Sequence, residues 1–458
     1  MSQSTVRWET ALIQKYDRHS APRYTSYPTA IEFTEAYHHQ AFCQAAGRYP
    51  ERPLSLYVHL PFCHQLCYFC ACNKIITRQA SKVTQYLATL EQEIQHTAPL
   101  FSGRRVTQLH WGGGTPTVLN SEQISRLVYC LRQAFHFTEE AECSIELDPR
   151  RITLDLLDHL VANGFNRLSI GVQDLDPLVQ RLINREQDEA FIAALIQRAR
   201  AVGFRSIHLD LIYGLPQQTP ASFFHTLQRI IAWDPDRLSL FNYAHLPDRF
   251  PGQHKIKESD LPSAQEKWLI LQQSIAQLLG AGYQLIGMDH FAKPDDELFK
   301  AQQIGQLQRN FQGYTTHKDC ELLGLGVSAI SALGDTYAQN QKGLATYETQ
   351  VNTEGHALWR GFTLSADDCL RRAIIQTLIC HFILDIASIE QEYGLCFADY
   401  FATELALLAA LAADGLVDLQ PHTLTVTPEG RLLIRQICLC FDRYSRPQAK
   451  QLQFSRLI

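Results

Sequence analysis

The chain has 458 residues, 46% hydrophobic and 19% charged, which is enough apolar material for a sizeable core and excludes a disordered polymer. That length suits one large barrel or sheet with an appendage. With 41 basic and 47 acidic residues the net charge is −6, so no overall basic field invites nucleic acid or an anionic membrane. In chain order, the opening MSQSTVRWET has no apolar segment behind a basic one. No apolar run approaches the roughly 18–20 residues needed to span a bilayer, so the chain reads as soluble and intracellular.

The first strand expected is 53–60, PLSLYVHL, and PFCHQLCYFCAC follows it. Four of the thirteen cysteines, Cys63, Cys67, Cys70 and Cys72, fall within ten residues, where an even spread would put about 0.3. An intracellular chain with so many thiols binds metal more readily than it forms disulfides. Three uses are open to the cluster. Structural zinc normally takes two ligands from a second, distant knuckle, and no second CxxC appears downstream. Four thiolates could hold an electron-transfer cluster. Alternatively, C-x3-C-x2-C supplies three thiolates to a [4Fe–4S] cluster and leaves one iron open for a ligand.

Strand candidates then recur at 105–112, 142–149, 167–174, 206–214 and 237–245, separated by stretches whose apolar residues repeat three or four apart. Two of those stretches close at Gly164 and Gly203, suited to helix C-caps. Repeating βα units with apolar strands mean a parallel sheet or barrel, in which chemistry sits at the C-terminal strand ends. The polar residues fall there: the cysteine loop, Gly112 to Thr115, Glu146 and Asp148, Gln173 and Asp174, Asp210, and Asn242 to His245. His59, His64, His110 and His290 have no partner at metal spacing and read as packing or hydrogen-bonding residues.

From 363 onward, ADDCLRRAIIQTLICHFILD and LALLAALAADG are helical by period, and TLTVT followed by PEGRLLIRQI reads as a hairpin and helix, a winged-helix-like pattern. This tail carries 8 basic and 11 acidic residues, so it cannot supply the phosphate neutralisation of DNA binding. A lid is the better expectation. Cys438 and Cys440 in ICLCF read as thiols on an apolar helix, and the other scattered cysteines as core filler.

The C-x3-C-x2-C spacing resembles the radical S-adenosylmethionine (SAM) superfamily. The wider string YVHLPFCHQLCYFCACNKIITR resembles, within it, the oxygen-independent coproporphyrinogen III oxidases, as do DLIYGLPQQT, IGMDHFAKPDDELFKAQQ and RNFQGYTTHKDCELLGLGVSAIS. The resemblance implies an α/β fold, a partial (β/α)6 TIM-like barrel over 51–362, with an N-terminal arm over 1–50 and a mostly helical, winged-helix-like C-terminal domain over 363–458. It also implies that Cys63, Cys67 and Cys70 hold a [4Fe–4S] cluster, with Cys72 a nearby catalytic thiol; Ala71 stands where the family usually has glycine. Tyr57, Gly113, Glu146 and Ile330 would contact the SAM at the cluster, Tyr57 also serving catalysis. Phe69, Gly114, Thr115, Gln173, Arg185, Asp210 and Ala244 would contact a second SAM. The implied reaction is radical oxidative decarboxylation of two propionates of coproporphyrinogen III to vinyl groups. A flavodoxin- or ferredoxin-type electron donor, a monomeric state and a cytoplasmic location are the further expectations, and Arg23 is a candidate for a substrate carboxylate. A haem chaperone on the same barrel is the alternative, but such relatives lack the fourth cysteine and the arginine found here as Cys72 and Arg185. A four-thiolate electron carrier is a further alternative.

Overall fold

The computed structural model describes residue 12, residues 15–16 and residues 20–445. Asp17, Arg18 and His19, part of the amino-terminal arm, lie outside the described residues. Internal contacts divide the chain into two compact units, one of residues 33–262 with 319–363, the other of 1–32, 263–318 and 364–458.

The first unit is built on six parallel strands connected through helices. The strands are β1 (Leu54–Leu60), β2 (Arg105–Gly113), β3 (His136–Leu147), β4 (Arg167–Gln173), β5 (Ser206–Tyr213) and β6 (Arg237–Asn242). Six helices run between them: α1 (Ala80–Thr97), α2 (Ser121–Ala134), α3 (Asp155–Ala162), α4 (Pro177–Leu182), α5 (Glu189–Val202) and α6 (Pro220–Ala232). The six strands pair in parallel in chain order. Their centres are fully buried, as apolar strands covered on both faces must be: Leu54, Leu56, Val58, Trp111, Ile145, Ile170 and Leu209 have almost no exposed surface. Helix ends are set by local chemistry. Asn120 and Gln123 form a capping box on α2, and Gly203 closes α5 with left-handed φ of 100°.

A seventh parallel strand, β7 (Glu321–Leu325), pairs with β1 on the side away from β2. It continues antiparallel through β8 (Ile330–Leu333), β9 (Thr336–Asn340) and β10 (Leu358–Thr363). The barrel with extensions expected over 51–362 contains this sheet, but none of its strands is among the six expected. Its strands are four to six residues long, the first three separated by GVSA and GD turns and the last by helix Leu344–Glu354, so no period-2 run is long enough to stand out.

In the second unit, helix Ala366–His381 packs with helix Ile434–Phe441, and strands Ile383–Asp385, Val417–Leu419 and Thr423–Val426 make a small antiparallel sheet. This is the helical, winged-helix-like tail expected from the sequence. Cys438 and Cys440 are buried on helix Ile434–Phe441, as the apolar pattern predicts. Among the described residues no helix is long and apolar enough to cross a membrane.

Candidate active site

The first unit gathers its unusual polar residues at the C-terminal ends of the parallel strands. The cysteine loop leaves β1, and its start is pinned by a two-residue parallel pairing of Phe62–Cys63 with Ile75–Ile76. Its middle is tied to the turn after α4: Tyr68 N donates to Ile183 O at 3.0 Å, and Asn184 Nδ2 donates to Leu66 O at 2.7 Å. Asn184 sits at left-handed φ of 56°, a conformation asparagine tolerates. Cys70 N donates to Cys67 O at 3.2 Å, closing the turn that holds the last thiols. Ala71 is exposed and outside the left-handed region, so its methyl group meets open space.

Each thiol has a distinct neighbour. Cys63 Sγ lies 3.4 Å from Thr115 Oγ1, and burial pushes its thiol up to about 11. Cys67 Sγ is buried and accepts from two guanidiniums, Arg150 Nη2 at 3.2 Å and Arg185 Nη1 at 3.3 Å. A hydrogen bond between the Cys70 and Cys72 thiols holds Cys70 below its ordinary range and Cys72 above it. Lys74 Nζ donates to the carbonyl of Cys70 at 2.9 Å.

Arg150 was not among the residues expected at the site. It grips Asp148 through Nε at 2.9 Å and Nη2 at 2.6 Å, while Nη1 reaches Asn184 O at 3.1 Å. Burial alone would raise the Asp148 carboxyl; the charges of Arg185 and Arg150 outweigh that and bring it down to about 2. The signal was available in ELDPRR, an acid two residues before an arginine at a strand end. Arg185 is no exposed helix-surface residue: it is buried, donates to Asp148 Oδ2 at 3.2 Å and Gly171 O at 2.6 Å, and its Nε is a buried donor without a partner.

On the β1–β3 side, Tyr57 Oη meets His59 Nδ1 at 2.9 Å, and its ring stacks on His110 at 5.9 Å between centroids. His110 Nε2 lies 3.2 Å from Glu146 Oε1, and Gly113 N donates to Glu146 Oε2 at 3.2 Å. Loss of solvent would raise the Glu146 carboxyl, but the His110 contact and the Gly113 N–H together bring it below its ordinary value. A Cβ on Gly113 would stand 2.6 Å from His59 Cε1, and one on Gly114 2.6 Å from the Pro61 backbone. Glycine is therefore required there by close approach, and at Gly113 also by a φ of +115°. Ile330 backs onto Gly324, which is in register with Tyr57, so Tyr57, Gly113, Glu146 and Ile330 share one corner.

On the β4–β6 side, the Gln173 and Arg185 side chains flank Gly171, and Gly171 is in register with Asp210. Asp210 accepts from Ser169 Oγ at 3.0 Å. Gln253 Nε2 donates to the carbonyls of both Phe69 and Ala244, joining these two at the loop's far end. Asn242 Oδ1 is buried without a partner. Asp174, by contrast, is structural: it is fully buried and accepts from Thr226 Oγ1 at 2.7 Å and from Gln218. In the second unit Arg23 is paired with Asp289, so it is not a free cation. The four histidines all make hydrogen bonds, His64 to Thr77 O and His290 to Asp289.

Among the described residues no three His, Cys, Asp or Glu side chains converge closely enough for a single metal ion. Cys63, Cys67 and Cys70 lie on one loop, an arrangement that suits a cluster in which each thiolate takes its own iron. The cationic neighbours of Cys67, the glycine cradle and the partnerless Arg185 Nε and Asn242 Oδ1 fit a site built for a cluster and a polar ligand.

Residues 57–230 match the family model of the radical SAM superfamily, and residues 364–433 that of the HemN C-terminal domain. Oxygen-independent coproporphyrinogen III oxidase of Salmonella typhimurium is 63% identical over 458 residues, covering all of both chains. The chain belongs to the oxygen-independent coproporphyrinogen III oxidase family. The Pseudomonas aeruginosa oxidase is 49% identical, with 99% of each chain covered. The solved coproporphyrinogen III oxidase (HemN) of Escherichia coli, described as a radical SAM enzyme, has a TM-score of 0.92 and 62% identity, covering 96% of this chain and 100% of that one. As a radical SAM oxidase this chain uses a [4Fe–4S] cluster and SAM.

Proposed function

We infer that this chain carries out the family's reaction, oxidative decarboxylation of two propionate side chains of coproporphyrinogen III to vinyl groups, giving protoporphyrinogen IX. The observation that carries the residue assignment is the cysteine loop itself, set at the strand ends between the Tyr57–Glu146 corner and the Arg185–Asp210 corner. When bound, the reduced cluster and SAM would supply hydrogen-abstracting radical chemistry at the propionate β-carbon.

Cys63, Cys67 and Cys70 are the cluster's thiolates, and Arg150 and Arg185 offset the charge of one of them. Glu146, anionic and already fixed by Gly113 N–H, presents its remaining lone pairs to the amine or ribose of SAM. The bare backbone of Gly112 to Gly114 lets that ligand approach without meeting a side chain. Tyr57, kept protonated by burial, orients through His59 and covers the ligand with its ring. Cys72, exposed and held protonated beside Cys70, carries its proton at Sγ toward the substrate side of the loop. Phe69, Gly114, Thr115, Gln173, Arg185, Asp210 and Ala244 form the second SAM position, where the unpartnered Arg185 Nε offers a donor to a carboxylate. A small flavodoxin- or ferredoxin-type donor, a monomeric state and a cytoplasmic setting complete the proposal. Anaerobic incubation with reductant, SAM and coproporphyrinogen III should consume SAM in step with CO2 release. Intact SAM and no CO2 would refute it.

A further inference from the structure

The sheet beyond β7 brings to the site two cations that the roles above leave unused. Because β7 runs parallel to β1, β8 starts at the site end with Ile330, β9 returns to it at Asn340, and β10 leaves from it at Leu358. Lys342, Trp359 and Arg360 therefore lie at the same end of the sheet as the cysteine loop. Lys342 also touches it: Asn73, the neighbour of Cys72, donates Nδ2 to the carbonyl of Lys342 at 3.3 Å.

The Lys342 ammonium stands 5.3 Å from the centre of the Trp359 ring, and the Arg360 guanidinium 4.4 Å. Arg360 is further braced by Phe33, 5.7 Å away, and by Nε donating to Gln339 Oε1 at 2.8 Å. Among the described residues no carboxylate lies within ion-pair distance of either cation. The acid that acts on Arg360 from further off, Glu35, is engaged by Trp359 Nε1 at 2.8 Å. Burial lowers both basic groups, and the charge of Arg360 lowers Lys342 further. Two like charges, partly desolvated around one indole, oppose each other until an anion bridges them. A flat ring flanked by two cations matches a carboxylate carried at the edge of an aromatic-sized macrocycle.

We propose that Lys342 and Arg360, braced on Trp359, form a carboxylate subsite that holds a propionate of the substrate other than the one reacting beside Cys72. This rests on coproporphyrinogen III being the substrate. With the subsite filled, the macrocycle is anchored by one propionate while another is presented to the cysteine loop. Lys342 is exposed, so its replacement leaves the fold intact.

The test uses cluster-loaded enzyme and coproporphyrin III, the unreactive oxidised form, with its tetramethyl ester as the uncharged control. Lys342→Gln and Arg360→Gln should each weaken coproporphyrin binding about tenfold, leave ester binding unchanged, and raise KM in turnover with little change in kcat. Arg360→Lys should recover part of the affinity. Wild-type affinity in both glutamine variants overturns the subsite, as does an equal loss for acid and ester. So does a KM that rises for the reducing protein alone, which would mark the cations as a docking patch for an acidic donor. Failure of the wild type to bind or convert the porphyrinogen would instead overturn the substrate assignment.

Discussion

The cysteines separate by neighbour more than by position. Cys70→Ser should abolish cluster binding, read as iron content after anaerobic reconstitution, whereas Cys72→Ser should keep the iron and lose turnover. Equal iron loss in both would favour four-thiolate ligation. Asp148 makes a second prediction. Its folded carboxyl, near 2, lies below the unfolded value of about 3.9, so its stabilisation is complete above about pH 4 and vanishes as pH falls through about 2. Asp148→Asn should therefore cost about 2 kcal/mol at pH 7 in urea unfolding of the cluster-free protein. The gap from wild type should close toward pH 2; a constant gap contradicts the pairing. At this scale the sequence was legible where residue type alone limits chemistry, as in the clustered thiols and the triple glycine. It was not legible where role depends on distant partners. Arg150 acquires its place only when β3 and the turn after α4 bring Asp148, Asn184 and Cys67 around one guanidinium.

Elements hold the site in place through buried contacts far apart in sequence. Glu93, on α1, accepts from Gly326 N at 2.7 Å, Tyr347 Oη at 2.6 Å and Asn340 Nδ2 at 2.5 Å, fixing the turn between β7 and β8 that leads to Ile330. Burial raises its carboxyl despite these three bonds. Glu93→Ala strands three buried donors and should lower stability by about 3 kcal/mol or more, with Glu93→Gln milder, measured as urea midpoints. Equal midpoints for alanine and wild type would contradict this clamp. The six parallel strands were readable because each is a short apolar run followed by a helical period. The third begins at His136, six residues before the expected start, because FTEEAE is polar and carries no apolar alternation. β7 to β10 escaped because each is a short run with little alternation, and β7 takes its register from β1, far away in sequence.

For the whole molecule, family membership supplies the reaction, and the structure sets the cysteine loop at the C-terminal ends of the parallel strands, beside Glu146, Asp148 and Arg185. The acidic net charge seen at the outset fits a chain whose cations are spent locally, on Cys67 and beside the cysteine loop at Lys342 and Arg360. The most direct test is the carbon balance of a single anaerobic turnover series with reconstituted enzyme, SAM, reductant and coproporphyrinogen III. Two CO2 released for each protoporphyrinogen IX formed, with SAM cleaved and no haem retained by the purified protein, is the expected result. A protein that binds haem stoichiometrically and releases no CO2 would contradict the account.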